Sequence, residues 1–360
     1  MRFPEFSGGW QSCQIGDYGE VITGNTPPTN DYINYANGTH LWASPVDLGK
    51  TKFVIDTQTK LSSIGFNKTR KLPEGSILVT CIGSTIGKMG MAATEMSTNQ
   101  QINSIVVNAQ NDKHFVYYAL QSRFPRYLTS VSVQAVPIMS KSSFEKQQNY
   151  RTTLEEQKKI GILLNLIDER ISTQNRIINE LQSLIIGLEQ TLLKSQSNWT
   201  SCFIGDVLSI GCGRDYKHLS EGDIPVYGTG GYMLSVNDFL YDGESVCIGR
   251  KGTIDKPLYL HCKFWTVDTL FYTYDFRQIL PRYCYYLFNT INWLKYNEAS
   301  GVPSLSKDTI ERIKISIPSI EEQKRVCDII DSVDEKLSLE ITFRGKLISL
   351  KQFLLSSLFV

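Results

Sequence analysis

The chain states one pattern twice, and that repetition restricts its fold more than any other feature. From Leu154 it reads LEEQKKIGILLNLIDERI and from Ile320 it reads IEEQKRVCDIIDSVDEKL, a match at a constant offset of 166 residues. In the first copy apolar side chains fall at Ile160, Leu164, Ile167, Ile171, Ile178, Leu181, Ile185, Leu188 and Leu192. The steps alternate four and three, and only Gln174 puts a polar group in an apolar slot. A heptad seam kept up for about four and a half repeats belongs to a long helix that needs a partner helix. At ~1.5 Å per residue such a helix is about 60 Å long. The second copy supplies the expected partner from within the same chain.

Each copy also has a helix start. Thr153 with Glu156, and Ser319 with Glu322, have the spacing of a capping box. Polar residues 195–198 close the first helix, while the second is less regular beyond Leu337. Its last match, residues 350–355 against 188–193, falls at offset 162, so about one helical turn is missing there.

The segments before the helices repeat more loosely. Cys13-Gln14-Ile15-Gly16-Asp17 corresponds to Cys202-Phe203-Ile204-Gly205-Asp206. Cys81-Ile82-Gly83, then Thr85-Ile86-Gly87-Lys88, corresponds to Cys247-Ile248-Gly249, then Thr253-Ile254-Asp255-Lys256. Val136-Pro137-Ile138-Met139-Ser140-Lys141 corresponds to Val302-Pro303-Ser304-Leu305-Ser306-Lys307. Between these anchors the two segments differ widely, which suggests one task performed on two different targets. The expected division is a first domain at 1–153, a long helix at 154–198, a second domain at 199–319 and a second helix at 320–360. The first domain reads as mixed α+β, with strand candidates at residues 76–82 and Ile102–Val107 and a short helix at 115–120. Thr23-Gly24-Asn25-Thr26-Pro27-Pro28 is a loop, because successive prolines exclude regular structure. Residues 138–146 lead towards the long helix.

At 360 residues the chain has room for two or more domains with real cores. Its 41% hydrophobic and 20% charged content are those of an ordinary soluble protein. Met1-Arg2-Phe3-Pro4-Glu5 carries no apolar signal-peptide core, and the longest apolar stretches, 184–188 and 353–360, are too short to span a bilayer. The eight cysteines include no CxxC pair, and Cys81 and Cys247 sit in apolar runs, so buried, reduced thiols of a cytosolic protein are expected. Net charge is +1, with a small basic excess in residues 1–153 and near balance in 195–319. Any basic surface for a polyanion is therefore local.

With both halves in view, the chain resembles the specificity subunit of type I restriction-modification systems. The paired EEQK helix starts, each after a VPxxSK-type approach, and the paired Gly-Ser/Thr-rich loops carry the resemblance, which covers nearly the whole chain. Ile315-Ser316-Ile317-Pro318 fits the family's apolar-proline approach to the helix, whereas Asn149-Tyr150-Arg151-Thr152 departs from it. The resemblance implies two similar target-recognition domains separated by a long antiparallel two-helix coiled coil, in a pseudo-twofold repeat. It implies that each domain reads one half of a bipartite, asymmetric site in double-stranded DNA and that helix length sets the spacing. It further implies two docked methyltransferase subunits, with catalysis in these and in restriction subunits; the residues themselves lead one to expect no cofactor, metal or membrane for this chain. A duplex offers separated patches at a fixed ~3.4 Å per base pair, which suits two unlike domains on a stiff rod.

Candidate DNA contacts are loops that combine backbone freedom, hydroxyls and a cation. Gly83-Ser84-Thr85-Ile86-Gly87-Lys88 and Gly249-Arg250-Lys251-Gly252-Thr253 both follow a strand candidate. Their glycines permit close approach to a phosphate, Ser84, Thr85 and Thr253 can donate, and Lys88 and Lys251 neutralise charge. Arg250 is the best single candidate for bidentate guanine reading, a contact worth ~1–3 kcal/mol of discrimination. Lys68, Arg70 and Lys71 form the densest basic cluster, and Arg214, Tyr216 and Lys217 follow the Gly211-Cys212-Gly213 turn. In each group a glycine turn or a solvated loop is the competing explanation. Lys141 and Lys307, at matching points of the repeat, could face DNA or cap structure, and the structural reading is favoured. At the helix starts, Glu155, Gln157 and Lys158 with Glu321, Gln323 and Lys324 are the candidate partner-docking residues, by family resemblance; Glu156 and Glu322 are accounted for by capping.

No active site emerges. Gly83 to Lys88 has three residues between its glycines where a Walker A loop has four, and no Ser/Thr follows Lys88. Asn25-Thr26-Pro27-Pro28-Thr29 is not the (D/N)PP(Y/F) motif of an adenine methyltransferase, and no GxGxxG follows a strand. His261-Cys262 is a lone pair far in sequence from His40, His114 and His218, so no zinc-ligand spacing is present. Two rival functions stand beside DNA recognition. One is a coiled-coil scaffold whose domains bind proteins or glycans through Tyr117-Tyr118 and residues 283–286. The other is an autonomous nuclease, which little in the sequence favours.

Overall fold

The computed structural model describes residues 2–129 and 137–359; Met1, Val136 and Val360, which entered the readings above, lie outside them. The chain divides into two compact units, Met1–Arg176 with Thr342–Val360 and Ile177–Ile341. Each unit holds one sheet domain and adjoining portions of both long helices. No helix among the described residues is long and apolar enough to cross a membrane.

The first unit begins with β1 (Gln11–Gln14), β2 (Gly19–Thr23), β3 (His40–Ala43), β4 (Phe53–Val54) and β5 (Thr59–Leu61). It continues with α1 (Ser63–Asn67), β6 (Ile77–Thr80), β7 (Met89–Ala92), β8 (Ser97–Thr98) and β9 (Ile102–Val107). Then come α2 (Lys113–Leu128), α3 (Lys141–Glu145), β10 (Gln148–Arg151) and the long helix α4 (Leu154–Leu192). A five-stranded sheet has the order β2-β9-β6-β7-β4, and a three-stranded sheet has the order β5-β3-β8. The central strand β6 reads Ile-Leu-Val-Thr and is buried at every position, as a strand covered on both faces must be. Its alternation sorts the residues: Ile77 and Val79 join the core beneath α2, while Leu78 joins the core on the opposite face.

The second unit follows the same plan with β11 (Thr200–Phe203), α5 (Ile204–Val207), β12 (Ser209–Cys212), β13 (Glu221–Gly228) and β14 (Gly231–Val236). It goes on through β15 (Tyr241–Gly249), β16 (Leu258–Thr266), β17 (Leu270–Tyr274), α6 (Pro281–Thr290), α7 (Lys307–Glu311), β18 (Lys314–Ile317) and α8 (Ile320–Leu358). One six-stranded sheet has the order β12-β17-β15-β16-β13-β14. Tyr283 and Tyr286 on α6, like Tyr117 and Tyr118 on α2, are buried in the cores. The tyrosine runs are therefore packing, not the exposed protein- or glycan-binding surface that the scaffold reading required. All eight cysteines are free; five are buried as expected, but Cys212 and Cys262 are exposed on strands and correct that expectation for those two.

The helices pair through the seam read from the sequence. Ile160, Leu164, Gln174 and Ile178 are each at most 4% exposed. In the first unit, Asp168 Oδ1 of α4 meets Lys351 Nζ of α8 at 2.7 Å, and Asn175 Oδ1 accepts from Arg344 Nη1 at 3.2 Å. Seven residues forward on one helix match seven backward on the other, so this portion is antiparallel. Leu354 and Leu358 of α8 enter the same core as Ile160, Leu164 and Ile167 of α4. In the second unit, Leu193 and half-buried Leu188 and Leu192 share a core with Val326, Cys327 and Ile330 of α8. Both helices are 39 residues long. The turn lost inside α8 is thus made up after Leu354, the counterpart of Leu192, where the helix continues to Leu358.

The helix starts differ from a full capping box. Glu156 N donates to Thr153 Oγ1 at 3.4 Å and Glu322 N to Ser319 Oγ at 3.3 Å, which supplies the hydroxyl half. The Glu156 carboxylate does not reach back. It is fully buried and takes a fork from Arg2, Nε at 2.8 Å and Nη2 at 2.7 Å, with Thr152 Oγ1 donating as well. Burial would raise its pKa, but these hydrogen bonds hold it below the ordinary carboxylate range. Capping alone therefore does not account for Glu156. The approach segments dock alike despite their unlike residues: Cys13 lies opposite Asn149 on the β1–β10 ribbon, and Cys202 opposite Ile315 on the β11–β18 ribbon. Where Ile315 packs as an apolar group, buried Asn149 donates to Tyr127 Oη at 3.0 Å.

Candidate nucleic-acid interface

At one end of each main sheet, two loops are fastened by three bonds to a single tight turn. In the first unit the turn is residues 98–101, closed by Ile102 N donating to Asn99 O at 3.2 Å. Gly24 N and Asn25 N, just beyond β2, donate to Ile102 O and Thr98 O at 3.1 and 2.9 Å. Cys81 N, just beyond β6, donates to Gln101 O at 2.8 Å. The second unit repeats every bond on residues 266–269. Leu270 N donates to Val267 O, Gly213 N to Leu270 O, Arg214 N to Thr266 O and Arg250 N to Thr269 O, at 2.9, 3.2, 2.8 and 2.8 Å. An indole seals each arrangement, although the two come from different strands: Trp42 Nε1 donates to Asn25 O at 3.1 Å and Trp265 Nε1 to Arg214 O at 2.9 Å. Glycine is required at the crossing point, since a Cβ on Gly24 would lie 2.2 Å from Asn99 O and one on Gly213 1.9 Å from Val267 O.

This framework corrects the loop alignment suggested by the two Cys-Ile-Gly triplets. Gly83 N donates to Pro137 O at 3.0 Å and Gly252 N to Pro303 O at 2.8 Å, and both glycines have φ near +100° (+99° and +98°). Met139 N likewise donates to Cys81 O, as Leu305 N does to Arg250 O. Gly83 is therefore the twin of Gly252, not of Gly249, and the twin of Arg250 is the buried Cys81. The backbone pairings decide the correspondence, and they are indifferent to the side chains that made the triplets look alike.

The residues singled out in the sequence fall into three sets. Ser84, Lys88, Arg214, Lys217, Arg250 and Lys251 are exposed on or beside these loops, with Thr85 and Thr253 half-buried among them. Lys88 passes its side chain over Gly49. Tyr216 packs against the Val226–Trp265 cluster, so its ring is structural. The basic cluster is committed internally. Lys68 Nζ reaches Asn34 Oδ1 at 2.7 Å and Asp31 at 3.2 Å, Arg70 Nη1 donates to Thr23 O, and Lys71 lies 5.1 Å over the Phe66 ring. Lys68 and Arg70 thus brace the Asn25 loop, with Asn25 Nδ2 donating to Lys68 O and Arg70 N to Asn25 Oδ1, each at 2.9 Å. Lys141 and Lys307 pair with Glu145 and Glu311 at 3.6 Å in both, in keeping with a structural role. Sequence reasoning missed exposed Gln100, whose Oε1 accepts from Thr26 Oγ1, and half-buried Gln101, because nothing local marks 98–101 as the hub of the end face.

At the helix starts, Glu155, Lys158, Glu321 and Lys324 are exposed. Gln157 and Gln323 are not available for docking, being 1% and 0% exposed. Gln157 Oε1 accepts from Asp112 N at 3.0 Å and its amide donates to Thr152 O at 2.8 Å; Gln323 Oε1 accepts from Leu280 N at 2.8 Å and its amide donates to Gln278 O and Pro318 O at 2.9 and 3.0 Å. The glutamine of each EEQK motif pins the start of a long helix to the start of α2 or α6.

A family model described as "Type I restriction modification DNA specificity domain" matches residues 7–183 and again 196–348. The type I restriction enzyme HindI specificity subunit of Haemophilus influenzae is 28% identical over 188 residues, 49% of this chain and 40% of that protein. The MjaIX specificity subunit of Methanocaldococcus jannaschii is 26% identical, across 53% of this chain and 43% of its own length. These alignments thus span less than half of either relative. The MjaVIII specificity subunit of the same organism is 22% identical with 94% of this chain and 89% of that protein covered. Among solved structures, the type I restriction-modification S subunit from M. genitalium superposes with a TM-score of 0.70 at 19% identity, covering 98% of this chain and 96% of that one. With a matching fold and the family model satisfied twice, over most of its length, this chain belongs to the type I restriction modification DNA specificity domain family.

Proposed function

We propose that the chain is the non-catalytic DNA-specificity subunit of a cytoplasmic type I restriction-modification complex, with each domain reading one half of a bipartite duplex site. One observation carries this reading: two end faces share every backbone fastening yet present different side chains, as two readers of unlike sequences require. The division into 1–153, 154–198, 199–319 and 320–360 goes with it, with the helices setting the gap between half-sites. Ser84, Thr85 and Thr253 donate to phosphates, Lys88, Lys251 and Lys217 neutralise them, and Arg250 and Arg214 reach base edges. Lys68 and Arg70 act chiefly by holding the Asn25 loop, while exposed Lys71, over the Phe66 ring, adds positive charge beside it. Methyltransferase subunits, one per half, dock beside Glu155 and Lys158 and beside Glu321 and Lys324, and restriction subunits join through them. Methylome sequencing of cells that express the chain with its methyltransferase partner should reveal one bipartite, asymmetric motif. A methylome without such a motif, from a partner shown to be active, defeats the proposal.

A further inference from the structure

The twinned positions around the two turns hold different chemistry, and that difference points to the bases read. In the second unit both loop residues that hang from the turn are arginines. Arg214 has no side-chain partner among the described residues, and Arg250 commits one N–H to Asp268 O at 3.4 Å. Their twins in the first unit are Asn25 and Cys81. Asn25 is consumed by Lys68 O and Arg70 N, and Cys81 is buried, so neither faces a ligand. The first unit places its most available amide on the turn itself: Gln100, the twin of Asp268, is exposed, its Oε1 accepts from Thr26 Oγ1 and keeps a second lone pair, and no hydrogen bond from its amide nitrogen occurs among the described residues.

A guanidinium matches the O6 and N7 acceptors of guanine, whereas a side-chain amide matches the N6 donor and N7 acceptor of adenine. We infer that the Arg214–Arg250 pair makes the second domain a reader of G·C pairs, and that Gln100 makes the first domain a reader of an A·T pair. This rests on the proposed DNA-reading role and adds the class of base to it. Asp215 and Asp268, next to the two arginines, are in keeping with it, since a carboxylate accepts from the N4 amine of cytosine. The twinned framework bonds are made by backbone atoms and the two indoles, and the side chains to be replaced add only one bond each, Gln100 to Thr26 and Arg250 to Asp268 O, so the end face should survive their replacement.

Selection of duplexes from a randomised pool, by the chain assembled with its methyltransferase partner, tests the inference. The wild-type complex should enrich two separated components. Arg250→Ala and Arg214→Ala should each relax a G·C position in one component by about 5- to 140-fold, the equivalent of ~1–3 kcal/mol, and leave the other component unchanged. Gln100→Ala should relax an A·T position in the other component by a similar factor. Arg250→Lys, which keeps the charge and loses the fork, should still relax the G·C position, while Lys251→Ala should weaken all duplexes evenly. Relaxation of an A·T position by either arginine variant, of a G·C position by the glutamine variant, or no change in either component overturns the inference while leaving DNA reading in place. A wild-type complex that enriches nothing overturns both. Unchanged melting temperatures of the variants exclude misfolding as the source of any loss.

Discussion

Glutamine in a run of charged residues at a helix start looks like surface, and in this chain it is core. Gln157 and Gln323 each satisfy the first N–H of a second helix and a carbonyl beside their own. Gln323→Leu keeps the volume but leaves Leu280 N and the buried Pro318 O without their partner, so it should cost about 2–3 kcal/mol, read by urea denaturation; Gln157→Leu should behave alike. A stability loss under ~0.5 kcal/mol would show that water reaches these groups. Lys52 offers a second residue-scale prediction. Its ammonium donates to Asn165 Oδ1 at 2.7 Å and Tyr118 Oη at 3.1 Å and lies 2.9 Å from His114 Nδ1. Burial, with Lys351 nearby and Asp168 opposing, lowers its pKa to about 8. An unfolded lysine titrates near ~10.4, so between about pH 8 and ~10.4 the unfolded chain binds more protons and this group's contribution to stability rises with pH. Below pH 8 the cost of the buried charge is fully present. The stability of wild type relative to Lys52→Met should therefore increase from pH 7.5 to 9.5. A difference that stays flat, or falls, would place the Lys52 pKa near its ordinary value. The twin joint in the second unit uses Arg282, 2.7 Å from Asp331, which does not titrate in this range.

Among the elements, the long helices were the most legible, because a 3–4 spacing of apolar residues is a local signal that burial then obeys. Strand β9 was read to the residue for the same reason, and β6 within a residue or two. What the sequence hid is non-local. The pairing of Cys81 with Gln101 and of Arg250 with Thr269 is made by backbone groups, which leave no mark on residue type, so a chance likeness of two Cys-Ile-Gly triplets pulled the alignment three residues out of register. The candidate loops stand out in the sequence by glycine and cation content, whereas the turn that holds them does not. One glycine inside α4 shows how closely elements meet. A Cβ on Gly161 would sit 2.5 Å from Asp112 Oδ1, the cap of α2, and 3.0 Å from Phe115 N. Gly161→Ala gains up to ~1 kcal/mol of helix propensity but must displace that cap, so a net loss of about 1–2 kcal/mol is expected in thermal denaturation. Its twin is Cys327, so the second unit already accommodates a side chain there and Cys327→Ala should cost less.

For the whole molecule, the near-neutral charge means that any DNA affinity comes from local groups. Affinity of the methyltransferase-bound complex should fall with salt with a slope set by a handful of phosphates, about −0.9 per phosphate neutralised. A mobility-shift titration that shows no salt dependence would remove the phosphate contacts assigned to Lys88, Lys217 and Lys251. The helices give a second test. Four residues inserted near Gln174, with four matched in α8, lengthen each helix by about 6 Å, and the preferred gap between half-sites should widen accordingly. An unchanged gap would mean that the helices are not the ruler. The turn fastened by main-chain bonds has an evolutionary corollary. Because its loops are fastened largely by main-chain atoms, side chains at the exposed tips can change without a folding penalty, so, if the proposed reading holds, a lineage carrying this scaffold could acquire new recognition sequences one substitution at a time.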